Sequence, residues 1–268
     1  MIKPFIKYTG SKFPYLNDIK NLLPEKFTKV FIPFLGSGSF ITLFKNHKLV
    51  CSDLNEDVIS VFKSLLYYPE YLKNSYELHH KDLAQFGNLH YEFVRGQFNK
   101  MRRPEDFLFL TRTCYNGLIR YNKNNEFNVS FHHTRKGITP EKLNKIIDEW
   151  YNLLKLENEV SFLHEDYRTT VAKCKSDSLV IADPPYILTR GQYLAQKFDF
   201  AEFEFTFNDL SRKNVKWMIT LDDNENLVRS KLPNLKGFYT KTSAKHSSLS
   251  NLKNRKCHKG NTVIINYG

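Results

Sequence analysis

Residues 179–186 read L-V-I-A-D-P-P-Y, and the fold turns on how that run ends. Leu179-Val180-Ile181-Ala182 is continuously apolar, the pattern of a strand buried on both faces of a parallel sheet. Asp183 closes it. Pro184 and Pro185 cannot continue a hydrogen-bonded ladder, and Tyr186 follows with an aromatic face. A carboxylate, a rigid backbone carbonyl and a ring therefore stand at the carboxyl end of a strand, the edge where open parallel sheets bind ligands. A stiff surface turn with Asp as turn former would use the same four residues, so the rest of the chain has to decide.

Upstream, V-F-I-P-F (30–34) reads as a buried strand, followed by L-G-S-G-S-F (35–40) and a helix beginning near Phe40. Strand, Gly-x-Gly, helix is the layout of a nucleotide-binding first loop. Gly36 and Gly38 let backbone approach a ligand, and the helix start favours polar or anionic groups. The third glycine of the dinucleotide fingerprint is missing, which argues for a smaller adenosine-bearing ligand. The next strand, K-L-V-C-S-D (48–53), again ends on an acid, 17 residues beyond Gly36. Asp53 suits two roles: accepting both ribose hydroxyls of a nucleoside, or capping the helix of 55–66.

Beyond 157 the same alternation resumes. E-V-S-F-L-H (159–164) ends at Glu165-Asp166, V-K-W-M-I-T-L (215–221) is a further strand, and roughly 236–242 and 262–267 complete the sheet. A polar, basic loop, H-S-S-L-S-N-L-K-N-R-K-C-H-K-G (246–260), joins the last two. The outline is an α/β sheet with a helical, basic segment inserted after the second strand. Gly-x-Gly, Asp53, Asp166 and Asp183 all fall at the carboxyl ends of strands, and that convergence sets the turn-only reading aside.

Composition sets the class of partner. The 268 residues carry 40 Lys and Arg against 28 Asp and Glu, a net charge of +12, with an ordinary 41% hydrophobic content. Such an excess on a chain able to build a core points to a polyanion. No basic amphipathic helix and no long apolar run favours a membrane instead. Cys51, Cys114, Cys174 and Cys257 are far apart, without a C-x-x-C pair, so neither a disulfide framework nor a zinc site is indicated. His79-His80 and His132-His133 are adjacent pairs, which do not share a helix face. A cytoplasmic, reduced protein without a metal is expected.

The inserted segment, 55–157, is mostly helical in pattern, but its centre is not. Residues 111–136 read T-R-T-C-Y-N-G-L-I-R-Y-N-K-N-N-E-F-N-V-S-F-H-H-T-R-K. N-K-N-N-E-F-N-V has the look of a hairpin whose Asn residues supply positive φ. Arg and Asn are the side chains that read guanine and adenine edges, and aromatics wedge between bases. A basic surface hairpin is the plain alternative.

The chemistry narrows similarly. No G-x-x-x-x-G-K-[ST] loop and no acidic pair at metal-ligand spacing supports phosphoryl transfer. Methyl transfer from S-adenosylmethionine needs a pocket for a nucleoside and an amino acid, and no metal. An exocyclic base amine is a weak nucleophile because its lone pair is delocalised into the ring. The Asp183 carboxylate and the Pro184 carbonyl could each accept one of its N–H groups, with Pro185 stiffening the turn and Tyr186 stacking on the base. Displacement then needs mainly positioning and prepared polarity. An amine inside a duplex must first be flipped out. Attack on cytosine C5 is disfavoured, since no cysteine stands beside a proline at a strand end.

Taken together, these residues resemble the Dam family of DNA adenine-N6 methyltransferases, the D12 class with α-type motif order. K-Y-T-G-S-K (7–12) resembles the family's K-W-x-G-G-K, F-L-G-S-G-S-F its F-x-G-x-G, and D-P-P-Y its catalytic motif. C-Y-N-G-L-I-R-Y-N and E-F-N-V, within 114–129, resemble its recognition segment, and I-I-N-Y its closing strand. The resemblance implies a Rossmann-like S-adenosylmethionine-dependent methyltransferase sheet, with 1–54 and 158–268 catalytic and 55–157 a helical target-recognition domain carrying a β-hairpin. It implies that Tyr8, Lys12, Phe34, Gly36, Gly38, Asp53, Asp166 and Asp183 contact S-adenosylmethionine, Asp166 facing the adenine amine. Asp183, Pro184, Pro185 and Tyr186 would be catalytic. Lys7 would read a guanine, Arg120 and Leu118 later base pairs; Tyr115 would wedge into the stack beside Asn116, Arg112 would hold a phosphate, and Asn122 and Ser130 complete the DNA-binding set.

The target implied is adenine within GATC in double-stranded DNA, in a bacterial or phage-encoded, nucleoid-associated monomer or weak dimer, with room for a cognate restriction endonuclease as partner. Departures fall on this site. Ser11 replaces a family glycine, Ser130 a proline, His132 a glycine, and Thr134 a tyrosine found in some members; 189–205 fits the family loop after the catalytic motif poorly. Alternatives stay open: another adenine-containing site, cytosine N4, RNA, or a non-catalytic DNA-binding relative. Cytosine-N4 enzymes more commonly carry a leading serine in place of Asp183, and the intact tetrapeptide speaks against a binding-only protein.

Overall fold

The structure is a computed structural model that describes residues 1–134, 136–185, 187, 198–221, 224–243 and 260–268. Among these, seven strands form one sheet: β1 (Lys29–Ile32), β2 (Lys48–Asp53), β3 (Glu159–His164), β4 (Ser178–Ala182), β5 (Lys216–Leu221), β6 (Phe238–Ser243) and β7 (Gly260–Ile265). Their order is β3-β2-β1-β4-β5-β7-β6. The first five are parallel, and β7 runs antiparallel between β5 and β6. The connections reverse direction at β1, between β2 and β4, and the crevice at such a switch point is where these sheets take ligands.

β4 shows why the apolar run becomes a central strand. Leu179 and Ile181 join one hydrophobic cluster, with Val30, Ile32, Leu49 and Cys51. Val180 and Ala182 join the other, with Phe31, Val50, Trp217 and Ile219. Every side chain of β4 is buried, so alternation in space leaves no polar face in sequence.

The helices are α1 (Leu16–Lys20), α2 (Glu56–Tyr67), α3 (Pro69–Phe86), α4 (Asn88–Met101), α5 (Pro104–Thr113), α6 (Pro140–Lys155), α7 (Tyr167–Val171), α8 (Phe200–Arg212) and α9 (Glu225–Lys231). Asn55 caps α2 by accepting a hydrogen bond from the Asp57 amide, and Pro140 starts α6, where its missing N–H costs nothing. Leu143, Ile147, Trp150 and Leu154 form the buried stripe of α6. Both α2 and α6 lie against β3 and carry the inserted helices α3–α5 between them. One core runs without interruption from sheet to insertion: Phe62 of α2 and Trp150 of α6 meet edge-on at 5.7 Å, and both meet Phe5.

Two local expectations change. The strand expected over 30–34 stops at Ile32, because Pro33 offers no amide to a ladder. The helix expected near Phe40 is a single 3₁₀ turn over Ser39–Leu43. Asn46 at φ 59 turns the chain into β2 at Lys48, which leaves no room for a longer helix. The loop therefore has no long helix behind it to favour an anion.

Candidate active site

The carboxyl ends of β1, β2, β3 and β4 deliver Phe34-Leu35-Gly36, Asp53, Asp166 and Asp183 to one edge. Asp53 does not cap α2. Its Oδ2 accepts the Gly36 N–H at 2.9 Å and its Oδ1 accepts the Asn55 N–H at 2.9 Å, so it clamps the first loop to the second strand. Burial pushes its pKa up, against those two amides and the nearby His164 imidazole. Each carboxylate oxygen has a second lone pair, so the clamp does not prevent Asp53 from accepting ribose hydroxyls.

The loop itself is tightly seated. Gly38 sits at φ +71, and a Cβ there would lie 2.4 Å from the Phe62 ring, so only glycine fits. Ser37 and Ser39 on either side hydrogen-bond each other at 2.7 Å, and each lies 2.9 Å from the Ser11 hydroxyl. Three hydroxyls in a ring satisfy one another, each donating once and accepting once. Ser11, where the family has glycine, is thereby the link between the N-terminal motif and the glycine loop. The Tyr8 ring rests against Gly36.

Asp166 caps α7. Its Oδ1 accepts from the Arg168 amide at 2.9 Å and from Arg168 Nε at 2.6 Å, while Arg168 Nη1 reaches both carboxylate oxygens of Glu202 on α8 at 2.8 Å. Next to it, Phe34 stacks on Tyr167 with centroids 5.4 Å apart, and Phe198 meets both rings. An apolar aromatic wall beside carboxylates suits an adenosine, with the carboxylates accepting from hydroxyls and from the exocyclic amine. These acceptors and rings fit the adenosine part of S-adenosylmethionine in their chemistry.

Asp183 is held by two donors. The Lys12 ammonium and the Thr220 hydroxyl, the latter at 3.0 Å, both donate to Oδ1. Lys12 is almost fully buried and also reaches the Gly10 carbonyl at 3.3 Å. Burial raises the Asp183 pKa, which Lys12 and Thr220 oppose. Pro184 and Pro185 follow directly; Tyr186 lies outside the described residues, as do 188–197, which include most of the poorly fitting loop, and 244–259, which include most of the basic loop and Cys257. Among the described residues, no cluster of three His, Cys, Asp or Glu is placed to hold a metal ion, and no helix is long and apolar enough to cross a membrane.

Residues 114–131 fold as a minimal hairpin. Cys114 bridges Phe131 and Tyr121 bridges Phe127, both antiparallel, and Asn116 and Asn125 adopt the positive φ that Asn tolerates. The exposed Tyr115 ring stacks on His132 at 5.3 Å. Lys7 packs across Gly117, where a Cβ would come within 2.5 Å of the lysine chain, and the Thr9 hydroxyl donates to the Gly117 carbonyl at 3.2 Å. Lys7, Tyr115, Asn116 and Leu118 are therefore neighbours. Arg120 is exposed and aligned by Asn128, with Nε to Oδ1 at 2.9 Å. The Ser130 carbonyl accepts from the Tyr115 amide, with the Ser130 residue exposed.

Two expected DNA contacts take other partners. Arg112 Nε donates to the Phe5 carbonyl at 2.6 Å and Nη2 to the Pro4 carbonyl. Burial lowers its pKa to about 10, so this guanidinium ties the N-terminal segment to α5 rather than presenting itself to a phosphate. Asn122 is the hairpin's internal brace: its Oδ1 accepts from the Asn124 and Glu126 amides and its Nδ2 donates to Glu126. Its amide is spent on the turn, which is what Asn does at such positions.

Thr220 and the ring of Ser11, Ser37 and Ser39 escaped the sequence reading. Thr220 carried a faint signal: one hydroxyl in an otherwise apolar strand end, W-M-I-T-L.

Known proteins resemble this chain over most of its length. The family model for D12 class N6 adenine-specific DNA methyltransferases matches residues 8–240. The DNA adenine methylase of Escherichia coli K12 is 34% identical over 189 residues, covering 69% of this chain and 65% of that protein. The Type II methyltransferase M1.LlaDCHI of Lactococcus lactis is 29% identical over 192 residues, covering 69% and 66%, and the DNA adenine methylase of Haemophilus influenzae 30% over 189 residues, covering 69% and 64%. The chain belongs to the D12 class of N6 adenine-specific DNA methyltransferases. The match spans just under two thirds of the Escherichia coli protein's length.

Proposed function

We propose that the protein methylates N6 of adenine in duplex DNA, with S-adenosylmethionine as methyl donor and GATC as the target site. The observation that carries this is the Asp183 carboxylate: both of its protein donors among the described residues converge on Oδ1, which leaves Oδ2 to accept from an amine. With the Pro184 carbonyl as second acceptor, both N–H groups of an exocyclic amine are met and its lone pair is turned out of the ring plane. S-adenosylmethionine, when bound, supplies the electrophilic methyl. Asp53 and Asp166 hold its ribose and adenine, and Phe34 packs on its base.

On the DNA side, Tyr115 and Asn116 stand exposed at the tip of a short turn, with Lys7 and Leu118 beside them. They suit a wedge that supports base flipping, and Arg120 suits base readout, with 55–157 as the target-recognition region. The +12 charge suits the phosphate backbone. Ser130 and His132 lie on the hairpin strand facing Tyr115, so the departures from the family pattern bear on site choice.

The test is transfer of labelled methyl to DNA duplexes containing GATC or a scrambled site and, in a separate reaction, to RNA, with product nucleosides resolved. Label as N6-methyladenine on GATC alone supports the reading. Label on cytosine, on RNA, or on neither duplex despite tight binding would replace it with one of the alternatives.

A further inference from the structure

Of the two groups that hold Asp183, Lys12 and Thr220, the second comes from the neighbouring strand. Thr220 lies on β5, fully buried, one position beyond the Ala182–Ile219 pair in the β4–β5 register. That places it level with Asp183, on the neighbouring strand. Its hydroxyl is 3.0 Å from Asp183 Oδ1 and 3.5 Å from the Ala182 carbonyl. A hydroxyl has one proton, and the shorter contact takes it. Around it β5 is apolar, with Trp217, Met218, Ile219 and Leu221 all buried. A valine would fill the same volume without a polar group to desolvate, and a buried hydroxyl is costly unless it is paired.

We propose that Thr220 is a positioning residue for methyl transfer, fixing the Asp183 carboxylate so that Oδ2 meets the acceptor amine. This rests on Asp183 accepting from that amine, the reading proposed above. Lys12 alone cannot do the same. One contact on Oδ1 leaves the carboxylate a rotation about that atom, and a hydroxyl on a β-branched side chain of a central strand, its torsion set by packing, removes it. Two donors from two separate elements define both the position of Oδ1 and the plane of the group. With the hydroxyl gone, the carboxylate turns about its terminal torsion, which is soft and two-fold, and Oδ2 leaves the line of the amine.

The test compares Thr220→Val, Thr220→Ser and Asp183→Ala with the parent protein, reading single-turnover methyl transfer at saturating S-adenosylmethionine and duplex, together with the Kd of each. A misplacement of about 1 Å in a reacting group costs roughly 100-fold in rate, so Thr220→Val should slow the step by about ten- to 100-fold. Both Kd values should hold within about twofold, since the single hydroxyl proton is given to Asp183 Oδ1. Thr220→Ser should recover most of the rate. Thr220→Ala provides a second hydroxyl-free variant should the valine perturb folding, and should be equally slow. Parent-like rates in Thr220→Val, or a serine variant as slow as the valine, would overturn the proposal. If Asp183→Ala itself retains turnover, the acceptor reading fails; if that variant is inactive while Thr220→Val runs at full rate, only the positioning role is lost.

Discussion

The Tyr121 hydroxyl donates to Asp57 Oδ2 at 2.6 Å, and Arg102 Nη1 donates to the same oxygen at 3.0 Å. Three elements meet at that atom: the hairpin of 114–131, the first turn of α2, and the residue that ends α4. Asp57 lies four residues beyond Asp53, so the hairpin is moored close to the carboxyl edge of the sheet. Burial raises the pKa of Asp57 despite both donors. Tyr121→Phe removes one charge-assisted bond and leaves the carboxylate with Arg102. Such a bond contributes about 1–3 kcal/mol, and denaturant unfolding should show a loss of that order. A change of only a few tenths would mean that the other moorings of the hairpin, Asn99 on the Phe127 backbone and Tyr91 on the Val129 carbonyl among them, suffice.

Ser11 makes a second link, between the N-terminal motif and the glycine loop. Ser11→Gly restores the family residue but opens the hydroxyl ring, leaving Ser37 and Ser39 with only each other. The variant should lose about 1 kcal/mol of stability and bind S-adenosylmethionine several-fold more weakly, because Tyr8 and Gly36 then lack a fixed spacing. Calorimetric titration measures the affinity, and an unchanged Kd would show that the ring serves folding only.

Much of this site was legible before the fold was. Strand ends announce themselves by an apolar run stopping at an acid, so Asp53, Asp166 and Asp183 could be placed on one edge from periodicity and turn chemistry alone. Length is harder: the 3₁₀ turn over Ser39–Leu43 takes its brevity from where β2 must begin, which is a tertiary demand. Side-chain partners are harder still. The family resemblance implies DNA contacts at Arg112 and Asn122, but backbone carbonyls and amides near them in space claim their polar groups first. Thr220 reaches Asp183 across 37 residues, a pairing visible only once β4 and β5 lie side by side.

The pH dependence of transfer follows from the same carboxylate. Burial raises the Asp183 pKa above the ordinary aspartate value, with Lys12 and Thr220 opposing it. Only the ionised form accepts from an amine at Oδ2 without a competing proton. Activity should therefore be full at high pH and fall as pH drops through a pKa above the usual value of about 3.9. Lys12→Met removes the principal opposing charge, so its acid limb should move to higher pH. A limb at the ordinary aspartate position, or one that Lys12→Met moves downward, would mean that another group governs it.

Gly38 offers a sharper structural test. At φ +71, with Phe62 where a Cβ would point, Gly38→Ala combines backbone strain with a clash against a core ring. Positive φ alone costs a non-glycine residue about 1–2 kcal/mol, and overpacking a core adds about 1–3. Thermal unfolding should shift down by several degrees at least, and cofactor-induced stabilisation should shrink with it. Unchanged melting would require Phe62 to move aside without loss.

Arg120 carries the expectation about sequence readout. Its Nε bonds to Asn128 Oδ1 at 2.9 Å and its Nη2 lies 3.4 Å from the Asn128 carbonyl, so one neighbour orients the guanidinium plane from the side. An oriented fork suits two acceptors on one base edge, the arrangement by which arginine reads guanine, and a good bidentate pair discriminates by about 1–3 kcal/mol. Arg120→Ala should therefore narrow the rate ratio between GATC and single-substitution duplexes by roughly tenfold or more at one base pair, leaving the others as they were. Arg120→Lys should not restore it, because an ammonium has no fork. Asn128→Ala should give a smaller loss at the same base pair, since it loosens the orientation and keeps the charge. Rate ratios across the full set of near-cognate duplexes measure all three. A loss spread evenly over every position would assign Arg120 to the phosphate backbone instead, and its variants should then flatten the salt dependence of binding.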